Sequence, residues 1–176
     1  MSVIIFCFDP RWPGTFVPYR SNVTIRHFRV QRTDSIPVIT QRIRSVAGSD
    51  LIETLYLCAH GNSGYLQLGA GLTTDSAMSF SVLRGRFDFM GMIQIHGCGV
   101  ASSSSITAPG GTVEHPVVVP GTFTGSGLGL ELLRSLANFT GALVEAAINA
   151  QYDDPLYTYE GPTVVVGRGG SYASSQ

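Results

Sequence analysis

Two stretches decide the fold: LYLCAHG at residues 55–61 and MIQIHGCGV at residues 92–100. Each ends an apolar run, Leu55 to Ala59 in the first and Met90 to Ile95 in the second, that stops abruptly beside a glycine and a chemically capable side chain, His60-Gly61 and His96-Gly97-Cys98-Gly99. An apolar run without alternation suits a strand covered on both faces, as in a parallel sheet. Val3 to Phe8 has the same character and stops at Asp9-Pro10, and Ala142 to Ile148 makes a further central strand. Helical patterns separate these runs. Ser35 can cap a helix with Pro37 in its first turn and Ile36, Ile39, Ile43 and Val46 on one stripe, closed by Gly48. Ser126 can cap another, with Leu128, Leu132, Leu133 and Leu136 on its stripe and Gly141 at its end. Strand and helix in alternation predict an α/β sandwich with a mostly parallel central sheet.

The remaining segments fit around that frame. Val23 to Val30 alternates, as a strand nearer a sheet edge does. Residues 9–22 hold three prolines and a glycine and read as a loop. Tyr65 to Leu68 is short and bounded by glycines, which suits a small hairpin, Phe80 to Phe87 reads as a short helix, and Thr163 to Val166 is a last, shorter strand. From Gly99 to Gly125, 16 of 27 residues are Gly, Ser, Thr or Pro, a long loop in which Val117 to Val119 could form an edge strand. No internal repeat is visible, and 176 residues make one domain, residues 1–176.

Composition narrows the function classes. An apolar fraction of 44% with a mean hydropathy of +0.20 suits a large buried core. Charged residues at 13% are about half the usual share, which argues against disorder. A net charge of −1 and the absence of any basic run give no footprint for nucleic acid. No apolar stretch approaches the ~18 residues of a membrane span, and MSVIIFCFDP lacks the basic start and small-residue cleavage site of a signal peptide. Three cysteines are few and odd in number, which points to a reducing, cytoplasmic compartment without a disulfide framework. All 11 cationic side chains are arginine, which codon bias or selection against lysine modification could each produce.

The chemistry is expected where central strands end, because open parallel sheets place their sites outside the carboxyl ends of the strands. If the strands ending at His60 and Cys98 are neighbours, about 4.8 Å apart, both side chains share one rim. A thiol nucleophile and its imidazole base require that arrangement. Gly61 and Gly97 leave the backbone open for close approach, and the N–H groups of Gly61 and Cys98 could stabilise an oxyanion. Cys7 and Cys58 lie on buried strands and read as core. His27 and His115 have no carboxylate or cysteine at metal-ligand spacing, so neither a metal nor a cofactor is expected. The glycines of GSGLGLELL follow a loop rather than a strand, so the dinucleotide reading fails.

LYLCAHGNSGYLQLG followed by MIQIHGCGVA resembles the histidine and cysteine motifs of the caspase-like cysteine peptidases, the clan of metacaspases, gingipains and separase. The similarity is nearest to the caspase-like domain of unknown function found near the start of large bacterial surface proteins. It covers residues 51–150, where GLGLELLRSLANFTGALVEAAINA also fits the later helix and strand, and residues 1–50 in architecture only. The resemblance implies a caspase-like three-layer sandwich and a thiol protease working through a Cys-His dyad. Cys98 would be the nucleophile, His60 the general base, and Gly61 with Cys98 the oxyanion hole. The 38 positions from His60 to Cys98 are fewer than in caspases, which fits a reduced hairpin.

Departures from the family bear on specificity. Caspases carry Gln two residues before the nucleophile and several Arg- or Lys-cleaving members carry Asp, whereas this chain has His96, which reads as a substrate-pocket residue, a support behind the site, or a satisfied strand-end histidine. Asp9 in the loop after the first strand, and Asp153 after the fourth central strand, occupy pocket-lining positions of the clan, so an acidic pocket for a basic residue is one expectation. A solvated turn is the plainer reading of Asp153-Asp154-Pro155. The partners implied are a protein or peptide substrate and an activating protein, with neither nucleic acid nor membrane. Two alternatives stand beside the peptidase. A catalytically silent caspase-like module could serve as a binding scaffold. A small α/β hydrolase with a cysteine nucleophile is disfavoured, because Gly97-Cys98-Gly99 lacks the Gly-x-Cys-x-Gly spacing of a nucleophile elbow.

Overall fold

The computed structural model describes residues 1–12, 23–103, 128–149, 159, 161–168 and, by backbone alone, 172–174. Strand β1 (Ser2–Phe8) is followed by β2 (Thr24–Arg29), helix α1 (Ile36–Ala47) and β3 (Leu51–Cys58). A two-stranded hairpin, β4 (Gly61–Asn62) with β5 (Tyr65–Leu66), and a 3₁₀ helix (Ala77–Leu83) lead to β6 (Phe87–His96). Helix α2 (Gly129–Thr140) and strands β7 (Leu143–Ala147), β8 (Thr163–Val166) and β9 (Tyr172–Ser174) complete the described elements. The seven-stranded sheet runs β2-β1-β3-β6-β7-β8-β9. Pairing is parallel from β2 through β7 and antiparallel for β8 and β9. The protein is therefore an α/β structure on a mostly parallel central sheet, as the alternation of patterns predicts.

The order of the strands explains where the layers lie. From β2 onward each parallel connection steps the same way across the sheet, so right-handed crossovers put all of them on one face. Ile36, Ile39 and Ile43 of α1, Phe80 of the 3₁₀ helix and Leu132, Leu133 and Leu136 of α2 share one core with Val3, Ile5 and Cys7 of β1. The step from β1 to β2 runs the opposite way, and Trp12 is on the other face, buried with Ile4, Phe6, Phe8, Tyr56 and Cys58. Stacked rings floor that second face: Phe6 lies 4.3 Å from Tyr56, and His96 lies 4.7 Å from Tyr159.

Local signals set the element ends, with some corrections. Ser35 stands at the start of α1 and Gly48 (φ 62°) at its end, but the Ser35 side chain makes no capping bond. Helix α2 begins at Gly129 after Leu128, later than a Ser126 cap requires, and ends at Gly141 (φ 78°). A side chain at Gly129 would strike the backbone of Val100, Ala101 and Ser102, so glycine lets the helix start dock on the turn after Cys98. Arginine forks close the carbonyl ends of both helices. Arg26 donates to Val46 O and Ala47 O, and Arg84 donates to Asn138 O and Phe139 O. The helix expected over Phe80 to Phe87 is instead the 3₁₀ helix, because Gly85 (φ 73°) breaks the chain and Phe87 opens β6. No described helix is long and apolar enough to cross a membrane.

Candidate active site at the carboxyl rim of β3 and β6

Strands β3 and β6 are neighbours, and their register ends on the pair Cys58 and His96. His60 and Cys98 each follow by two residues, so both leave the sheet at the same level on adjacent strands roughly 4.8 Å apart. The ladder continues past the strand ends: Ala59 N–H donates to His96 O at 3.1 Å, and Asp9 N–H donates to Cys58 O at 2.9 Å. Glycine allows the two loops to touch. A Cβ built on Gly61 would lie 3.2 Å from the Cα of Gly97, and one built on Gly97 would lie 3.0 Å from Ala59 O. His60 and Cys98 are both partly exposed.

The histidine is held from two sides. Its ring Nε2 lies 3.1 Å from the carbonyl oxygen of Arg11. A carbonyl only accepts, so Nε2 donates to it, and in a neutral ring Nδ1 is then the acceptor. Its backbone carbonyl accepts from Gln67 N–H at 2.7 Å. The Trp12 ring stands 6.1 Å from the imidazole, tilted by 54°.

The turn that carries Cys98 is fixed by its own backbone. Gly99 (φ 51°) donates to Asn149 O at 2.8 Å and Ala101 donates to Ala147 O at 3.0 Å, tying the turn to the end of β7. Val100 O accepts from Gly64 N–H at 3.0 Å and Ser102 O accepts from Ser63 Oγ at 2.6 Å, tying it to the β4–β5 hairpin.

The other residues singled out from sequence are placed differently. Asp9 is fully buried and its carboxylate is occupied: Arg11 Nε donates to Oδ1 at 2.6 Å, Arg11 NH2 to Oδ2 at 2.8 Å, and Gly69 N–H to Oδ2 at 2.8 Å. It is therefore not the unpaired pocket carboxylate that sequence position suggested. His96 is buried on the second face with its ring stacked on Tyr159 and 5.5 Å from Tyr56, a core position in place of an open pocket wall. Asp153, Asp154, Ser126 and His115, with residues 104–127 of the loop, lie outside the described residues. Cys7 and Cys58 are fully buried on opposite faces of the sheet, and burial pushes both thiols up. Among the described residues no group of three or more His, Cys, Asp or Glu side chains is placed to hold a metal ion.

Arg11 is the residue that sequence reading missed. The signal lay in LQLG, residues 66–69, whose backbone serves the first loop: Gln67 O and Gly69 O accept from Arg11 NH2 at 3.1 and 2.7 Å. Leu66 and Leu68 are buried and hold that backbone in place. No family model, curated protein or solved structure matches the chain.

Proposed function

We propose that the protein is a caspase-like cysteine endopeptidase in which Cys98 attacks the peptide carbonyl and His60 moves the proton. The single observation that carries this reading is the shared level of His60 and Cys98 beyond the Cys58–His96 pair. The protonated Nε2 at Arg11 O adds to it, because it leaves Nδ1 free to take the thiol proton. The thiolate sulfur would bond to the carbonyl carbon, and the oxyanion would rest on the N–H groups of Gly61 and Cys98. His60 would then return the proton to the departing amine, and water would hydrolyse the thioester. A reducing, cytoplasmic setting fits a thiol nucleophile and three cysteines. Preference for a basic residue would need a carboxylate other than Asp9, and Asp153 is the candidate from sequence.

Labelling with a peptide carrying an electrophilic warhead tests the reading. Wild type should take one label on Cys98 in native buffer, and Cys98→Ala should take none. A native protein whose Cys98 reacts no faster than a small free thiol would favour the silent binding module instead.

A further inference from the structure

We propose that Asp9 and Arg11 are positioning residues for His60, an ion pair of a buried carboxylate and a partly exposed guanidinium that fixes the imidazole through the Arg11 carbonyl. The proposal rests on the peptidase reading and concerns the charged pair that holds the carbonyl beside His60 in place. His60 touches no described carboxylate directly; its ring is oriented by Arg11 O. That carbonyl belongs to a residue whose backbone N–H, Nε and NH2 are all engaged. Its guanidinium grips Asp9 with two bonds and reaches Gln67 O and Gly69 O with the same NH2, while its own N–H donates to Asp9 Oδ1 at 2.9 Å. The carboxylate in turn takes Gly69 N–H.

The ring is thereby clamped between two fixed points. Its main chain is joined to Gln67, its Nε2 to Arg11, and Gln67 and Arg11 are joined to each other. Removing Arg11 would leave the buried Asp9 carboxylate uncompensated, and removing the Asp9 charge would loosen the grip on Arg11, so the loop holds its carbonyl less firmly without either. Arg29 from β2 also faces this loop, donating to Asp9 O at 3.2 Å, and the half-buried Tyr65 faces Arg11 from β5. Lysine could neutralise Asp9 but has no planar fork to hold carboxylate and carbonyls together.

The rate of Cys98 alkylation by iodoacetamide, followed from pH 5 to 10, separates positioning from simple structure. Asp9→Asn, native by circular dichroism, should lose tenfold or more in rate near pH 7, with the midpoint of its profile moved upward. Arg11→Lys should fall between Asp9→Asn and wild type. A folded Asp9→Asn with the wild-type rate and midpoint would overturn the proposal, and if Asp9→Asn does not fold, Arg11→Lys with the wild-type profile would do the same. His60→Ala is the separate control: a wild-type profile there would overturn the peptidase reading itself.

Discussion

Gly61 and Gly97 meet backbone to backbone, with room for no side chain between them. A Cβ on Gly61 would lie 2.5 Å from Val100 Cγ2 and 3.2 Å from both Cα and the carbonyl carbon of Gly97. The loops that carry His60 and Cys98 are thus in direct contact, which requires glycine on both sides.

Gly61→Ala is expected to cost about 1–3 kcal/mol, the usual penalty of overpacking. Urea unfolding checks the stability and alkylation checks the site. The variant should also slow Cys98, because the added methyl pushes the two loops apart. Unchanged stability would show that Val100 yields at no cost.

The three cysteines should react in a fixed order. Cys98 is partly exposed, whereas Cys7 and Cys58 are buried with thiols pushed up. The thiolate is the reacting form. In native buffer, mass spectrometry should find Cys98 modified first and the other two modified only after unfolding. Cys58 reacting first would sink the dyad assignment.

Stability should fall on the alkaline side. Burial raises Cys7, Cys58 and the Tyr159 phenol, the last of which donates to Ile95 O and Glu145 O. In the unfolded chain these groups lose their protons near pH 8.5 for cysteine and near pH 10 for tyrosine, approximate reference values. The folded state keeps them protonated to higher pH, so above those values it holds more protons than the unfolded state. Their contribution is complete below about pH 8 and shrinks as pH rises, by up to about 1.4 kcal/mol per pH unit per group. Urea midpoints at pH 7, 9 and 10 under reducing conditions should decline, and Tyr159→Phe should flatten the last step.

The chain should stay in one piece. Caspase-like enzymes that mature by self-cleavage cut after Asp, Lys or Arg beyond the nucleophile. From Gly99 to Gly125 the only residue charged at neutral pH is Glu114, and the next Arg and Asp are Arg134 and Asp153. Arg134 lies within α2. Control would then come from a partner. Intact mass after long incubation should be unchanged. A nick in the loop that vanishes in Cys98→Ala would overturn this.

Much of this fold was legible because its central strands are uniform apolar runs with sharp stops. Those stops put His60 and Cys98 at strand ends, and the sheet order, with β3 beside β6, puts the two ends on one rim. What escaped had weaker or more distant causes. Phe80, Leu83 and Phe87 are spaced as a helix would place them, and only the turn at Gly85 separates the 3₁₀ helix from β6. Tyr172–Ser174 is too short to carry a pattern, and pairing with β8 makes it a strand. Asp9 looked like a free pocket carboxylate because one of its partners, Gly69, lies 60 positions away.

The arginine forks at the helix ends bear on how this chain can drift. Arg26 spans Val46 O, Ala47 O and the Asp50 carboxylate, and Arg84 spans Asn138 O and Phe139 O. Each such site needs several donors spread across one plane, which an ammonium on a flexible stem does not offer. A mutation to lysine would keep the charge and abandon a carbonyl. At these positions the exchange that conserves charge is therefore the one the architecture tolerates least.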